Sequence, residues 1–136
     1  MSTQPNLENN FDLCSQPLHP AAALGIDLFN EGLFYEAHEA LEDAWREEKG
    51  PIRELYQAIL QAAVTYFHIQ NGNIEGGIQM EAKAMAKLEH WPDQCCGLNL
   101  ADLKTNLAEE TRKITDNKTE KHPASAPNPF KPILFV

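Results

Sequence analysis

A chain of 136 residues that is 43% hydrophobic and 23% charged is long enough to bury one core and too short for two typical domains, which argues against a disordered chain. Its formal charge of −9 is unevenly spread: residues 1–45 hold no Lys or Arg but eight acidic residues, Glu8, Asp12, Asp27, Glu31, Glu36, Glu39, Glu42 and Asp43. That third of the chain cannot neutralise a phosphate backbone or an anionic membrane surface, so neither nucleic acid nor membrane is expected as a partner.

In chain order, residues 1–16 are polar and Asn-rich and read as a mobile segment without the basic and apolar regions of a signal peptide. A helical domain is expected over 17–115. Its first helix spans about 19–30, with Pro20 in the first turn and Leu24, Ile26, Leu28 and Phe29 on a helical face; Gly32 ends it. The second spans about 34–48, where Phe34, His38, Leu41 and Trp45 recur at spacings of roughly four, three and four and share a face. Gly50-Pro51 separates it from a third helix over 52–70, apolar almost all round and therefore central. Asn71-Gly72-Asn73 leads into a fourth over 74–89, stopped at Trp91-Pro92, and a fifth follows over 100–114. Short connections make successive helices antiparallel. The fold class is all-α: a small up-and-down bundle or array of about five helices with extended N- and C-terminal tails.

The longest apolar run, residues 58–69, is interrupted by Gln61 and His68 and is shorter than the ~20 residues that cross a bilayer. The cysteines are Cys14, Cys95 and Cys96. An odd count with an adjacent pair is a poor disulfide framework, so a reducing, cytoplasmic setting is expected. Residues 116–136 form a Pro-rich tail that ends on Ile133, Leu134, Phe135 and Val136. Two readings of that apolar end stand side by side: extended docking on its own bundle, or a peptide for a partner.

The stretches LFNEGLFYEAHEALEDAWR (28–46) and KGPIRELYQAILQAAVTYFHIQNGN (49–73), with the Gly76-Gly77 pair, resemble the bacterial and archaeal family called domain of unknown function 309. The resemblance implies a small all-helical array and assigns no role. The family's recurring polar positions fall on His38, Glu39, Glu42, Trp45, Arg46, Arg53, Gln61 and His68. Where many relatives have Gly-Leu-Ile-Gln, this chain has Ala58-Ile59-Leu60-Gln61.

Polar residues interrupt the apolar faces of the second and third helices. Arg53, Gln57, Gln61 and His68 form a stripe at spacings of roughly four, four and seven. Folding the hairpin about Gly50 sets His38 near Gln61, Glu42 near Gln57, and Trp45 near Leu55; the turn at Glu31-Gly32 sets Gly25 opposite His38, and the turn at Gly72 sets Gly76 opposite His68. The expectation is a buried hydrogen-bonded group of His38, Glu42, Gln57 and Gln61 that fixes helix register, since unpaired buried polar groups cost about 1–3 kcal/mol each. A sharper reading is a divalent-metal site on the His-Glu-x-x-Glu helix, with His38 and Glu42 as ligands and Glu39 as general base of a hydrolase. His68 lies roughly 9 Å further along the axis, too far to share that metal. A third reading is a pocket in which Arg46 and Arg53 hold a small anionic ligand. No catalytic set emerges. The function read from the sequence is a non-catalytic binding or interaction module, with a protein partner or a second copy as the expected occupant; the hydrolase is the alternative.

Overall fold

The computed structural model describes residues 13–116 and 130–136. Much of the Asn-rich start and most of the Pro-rich stretch after Asp116 lie outside the described residues. Five helices, α1 (Pro20–Asn30), α2 (Phe34–Glu47), α3 (Arg53–Gln70), α4 (Ile74–Leu88) and α5 (Leu100–Asp116), pack sequentially, each against the next along the chain. The all-α expectation therefore holds, and its helix limits stand to within a residue or two. Between α4 and α5, a small antiparallel hairpin pairs β1 (Gln94–Cys95) with β2 (Leu98–Asn99).

Local chemistry explains the turns. Pro20 opens α1, where its missing N–H costs nothing, and the His19 Nδ1 accepts from the Ala21 N–H at 3.0 Å. The His19 Nε2 therefore carries the proton and reaches Glu47 Oε1 at 3.0 Å. Gly32 and Gly72 take the left-handed conformation that closes the α1–α2 and α3–α4 turns, at φ +83° and +79°. Asn73 caps α4, its Oδ1 accepting from the Gly76 N–H at 3.0 Å.

The central helix is α3, with Leu55, Tyr56, Ala58, Ile59, Ala62, Ala63, Thr65, Tyr66 and Ile69 buried. Small residues set the spacing around it: Ala37 and Ala44 of α2, and Ala58 and Ala62 of α3, are all fully buried. Gly25 permits α1 to close on α2, because a Cβ there would stand 2.6 Å from Leu41 Cγ and 3.3 Å from Ala37 O. Gly25 therefore packs beside Leu41 rather than opposite His38. On the α3–α4 side it is Gly77, not Gly76, that makes room: a Cβ at Gly77 would meet Ile69 Cγ1 at 3.2 Å. The space beside Gly76 is filled by its own cap, Asn73.

The cysteine reading is corrected. Cys14 and Cys95 form a disulfide across a sequence separation of 81, and Cys96 is a buried thiol. Spacing could not reveal the bond, because Cys14 reaches Cys95 only after the helices bring the two ends of the chain together. The argument from cysteines to a reducing compartment therefore does not hold. Among the described residues, no helix is long and apolar enough to cross a membrane.

Candidate functional site

The buried stripe of α2 is Phe34, Ala37, Leu41 and Ala44, at spacings of three, four and three. The sequence spacing instead puts Phe34, His38, Leu41 and Trp45 on that stripe. The core face is thus rotated toward the alanines, which leaves His38 and Trp45 on its flank, half-buried. The consequences are plain in the hydrogen bonds. His38 Nδ1 donates to the Tyr35 carbonyl of its own helix at 3.0 Å, and its ring lies 5.2 Å from that of Tyr35. Glu42 accepts from Arg46 one turn on, and Asp43 lies 3.8 Å from the same guanidinium. Glu39 is exposed. Arg53 covers the Trp45 ring, its guanidinium carbon 4.3 Å from the centroid, while its Nε donates to Trp45 O at 3.3 Å. His68 Nδ1 sits 3.3 Å from the Asn73 amide.

No hydrogen bond joins His38, Glu42, Gln57 and Gln61 to one another. The buried Gln61 Oε1 and Trp45 Nε1 have no partner at all among the described residues. The expected register-fixing network is thus replaced by separate, local contacts. No group of three or more His, Cys, Asp or Glu among the described residues could hold a metal ion. Arg46 is paired with acids and largely exposed, and Arg53 is committed to Trp45. The two do not form a common anion cradle.

The structure gathers a different set of residues where the α1–α2 turn meets α3 and the β1–β2 hairpin. Phe29, Phe34 and Tyr66 form a mutual cluster with ring centroids 5.1, 5.2 and 5.4 Å apart. Into it comes Phe130, stacked on Tyr66 at 4.9 Å and edge-on to Phe34 at 5.4 Å. Burial pushes the Tyr66 phenol far above its ordinary range, and its buried hydroxyl has no hydrogen-bond partner among the described residues.

Three residues further along the tail, Asn30 grips the backbone. Its Nδ2 donates to Ile133 O at 3.1 Å, and the Ile133 N–H donates to its Oδ1 at 2.8 Å. The Ile133 side chain is buried. The tail then adds to β2 as an antiparallel edge: Leu98 bridges Phe135, Asn99 N–H donates to Leu134 O at 2.8 Å, and Val136 N–H donates to Gly97 O at 2.9 Å. Leu134, Phe135 and Val136 keep 45, 55 and 63% of their surface exposed. The chain's apolar end therefore docks in extended form on its own bundle, the first of the two expected readings. Its aromatic pocket was not foreseen, because no local pattern links residues 29, 34, 66 and 130. Nor was the Asn30 clamp, since an Asn at a helix end reads simply as a turn residue.

Residues 23–80 match the model of the family described as Domain of unknown function (DUF309). The matched stretch takes in Asn30, Phe29, Phe34 and Tyr66 and stops short of the hairpin and the tail. A protein of Aquifex aeolicus (strain VF5) named "Uncharacterized protein" is 32% identical over 82 residues. The match covers 60% of this chain and 25% of that relative. The chain thus spans about a quarter of that relative's length.

Proposed function

We propose that this chain is a non-catalytic interaction module whose working surface is the groove bounded by Asn30, the Phe29–Phe34–Tyr66 cluster and the edge of β2. The observation that carries this reading is how the groove holds residues 130–136. Backbone is gripped by a two-pronged amide and by strand pairing; two side chains, Phe130 and Ile133, are selected by pockets. Those are the elements by which extended peptides are recognised: main-chain bonds for affinity and alternate side-chain pockets for specificity. The ligand class is an extended segment with an aromatic residue three positions before a branched aliphatic one. The chain's own tail holds the site in cis.

The hydrolase alternative would require His38 and Glu42 to leave Tyr35 O and Arg46, and no observation favours that. The test is fluorescence anisotropy with a labelled peptide of residues 128–136, NPFKPILFV. Full-length Phe130→Ala, whose own tail is weakened, should bind it saturably. The unmodified chain should bind at least tenfold more weakly, because its site is occupied. Adding Asn30→Ala to the Phe130→Ala chain should cost a further tenfold. No binding to the Phe130→Ala chain would refute the proposal.

A further inference from the structure

The groove ends on a hairpin that also carries the Cys14–Cys95 disulfide. Cys95, 2% exposed, lies in β1 and pairs with Leu98 of β2; Leu98 pairs on its other edge with Phe135. Both strand hydrogen bonds of the tail fall on the residues flanking Leu98, Gly97 and Asn99. The order is therefore β1, β2, tail, with the disulfide at one edge and the tail at the other.

Strands of two residues have no independent stability in water. This hairpin is held by what surrounds it. On one side are the Cys14–Cys95 bond and the Cys96 N–H donating to Cys14 O at 2.8 Å. At its base, Asp93 O accepts from the Leu100 and Ala101 N–H groups at 2.7 and 3.1 Å. On the far side is the tail. Cys96 sits in the turn at φ +53°, next to Gly97 at φ +78°. Its Sγ is 4.0 Å from Cys95 Sγ and donates to Leu13 O at 3.7 Å. Burial, and secondarily the charge of Glu48, pushes this thiol up to about 11. Near neutral pH, Cys96 is therefore a poor nucleophile and leaves the neighbouring bond unscrambled.

We propose that Cys14–Cys95 is a reversible thiol–disulfide site, opened by a dithiol reductant, and that its state sets how firmly the hairpin holds residues 130–136. Cys14 is half-buried and Cys95 fully buried, so attack falls on the Cys14 sulfur. One thiolate of the dithiol bonds to Cys14 Sγ, and the Cys14–Cys95 bond breaks with its electron pair leaving on Cys95, which takes a proton. The dithiol's second thiolate then attacks its own sulfur in that mixed disulfide. Cys14 leaves as a thiolate and is protonated. The products are a cyclic disulfide of the reductant, oxidised by two electrons, and a chain with three thiols. The hairpin then loses its covalent anchor and the tail loses a fixed edge. The covalent step is independent of the groove reading; only the coupling to the tail rests on it.

The test combines non-reducing peptide mapping of the full, air-oxidised chain with hydrogen exchange of residues 130–136, before and after dithiothreitol. The oxidised chain should yield a peptide cross-linked between Cys14 and Cys95. After reduction, both cysteines should take an alkylating label, and tail exchange should rise at least tenfold. Cys14→Ser, which leaves every hairpin residue in place, should show the fast tail exchange without reductant and no response to it. Cys96→Ser keeps the bond and should respond as the unmodified chain does. A missing cross-link with a slowly exchanging tail, or tail exchange unchanged on reduction, overturns this proposal and leaves the groove intact. Fast tail exchange in the oxidised chain overturns the groove reading, and the coupling with it.

Discussion

Replacing Phe130 by alanine should release the C-terminal segment as a unit. Phe130 is buried against Tyr66 and Phe34. In a rigid core a Phe→Ala change costs about 3–5 kcal/mol, from lost transfer energy and the cavity left behind. Here the loss is capped, because the tail can peel away instead of preserving a void. Ordering each tail residue costs about 1–2 kcal/mol, and closing the stretch between Asp116 and Phe130 costs roughly 2 kcal/mol. Without Phe130, Ile133 and the few backbone bonds cannot offset those terms. The expected destabilisation is therefore about 2–3 kcal/mol, equal to that of deleting residues 130–136 altogether. For a cooperative unit of this size each kcal/mol lowers Tm by about 4 °C, so circular dichroism should record a fall of roughly 8–12 °C. A Tm within about 2 °C of the parent, or a deletion far more damaging than Phe130→Ala, would refute the argument.

Gly25→Ala should cost about 1–3 kcal/mol despite alanine's better helix propensity, since the new Cβ would lie 2.6 Å from Leu41 Cγ; denaturant unfolding measures it. His38→Ala should cost under about 1 kcal/mol, as expected for a flanking residue with one local hydrogen bond rather than a hub of a buried network; a loss of several kcal/mol would restore the network. Folding raises the Cys96 thiol above its unfolded value, to about 11, so its contribution to stability is intact below about pH 8.5 and is lost as pH rises toward 11. Chemical denaturation across that window should show part of the decline abolished in Cys96→Ser.

The helices were legible because each boundary is chemically local. Pro20 starts α1, Gly32 and Gly72 provide the left-handed turns, and Asn73 caps its own helix. The buried face of α2 was harder to read. Phe34 and Leu41 fit two adjacent stripes, and following the large side chains selects His38 and Trp45 over Ala37 and Ala44. Alanines win because they let α1 and α3 close against α2, a tertiary matter that periodicity alone does not encode. The acidic His-Glu-x-x-Glu run drew attention to a surface where Glu42 simply pairs with Arg46. The tail's apolar end was a sound signal of docking. Its destination depends on contacts between residues about 100 positions apart, Asn30 with Ile133 and Phe34 with Phe130. The Cys14–Cys95 bond, spanning 81 positions, was hidden for the same reason.

The most direct test of the central claim is residue-resolved amide exchange by NMR on the unmodified, oxidised chain. Ile133 and Val136, whose N–H groups are bonded to Asn30 Oδ1 and Gly97 O, should exchange at least a hundredfold more slowly than an unstructured peptide of the same sequence. Exchange of both amides at the unstructured rate would mean that the segment does not occupy the groove, and the account of the site would fall with it.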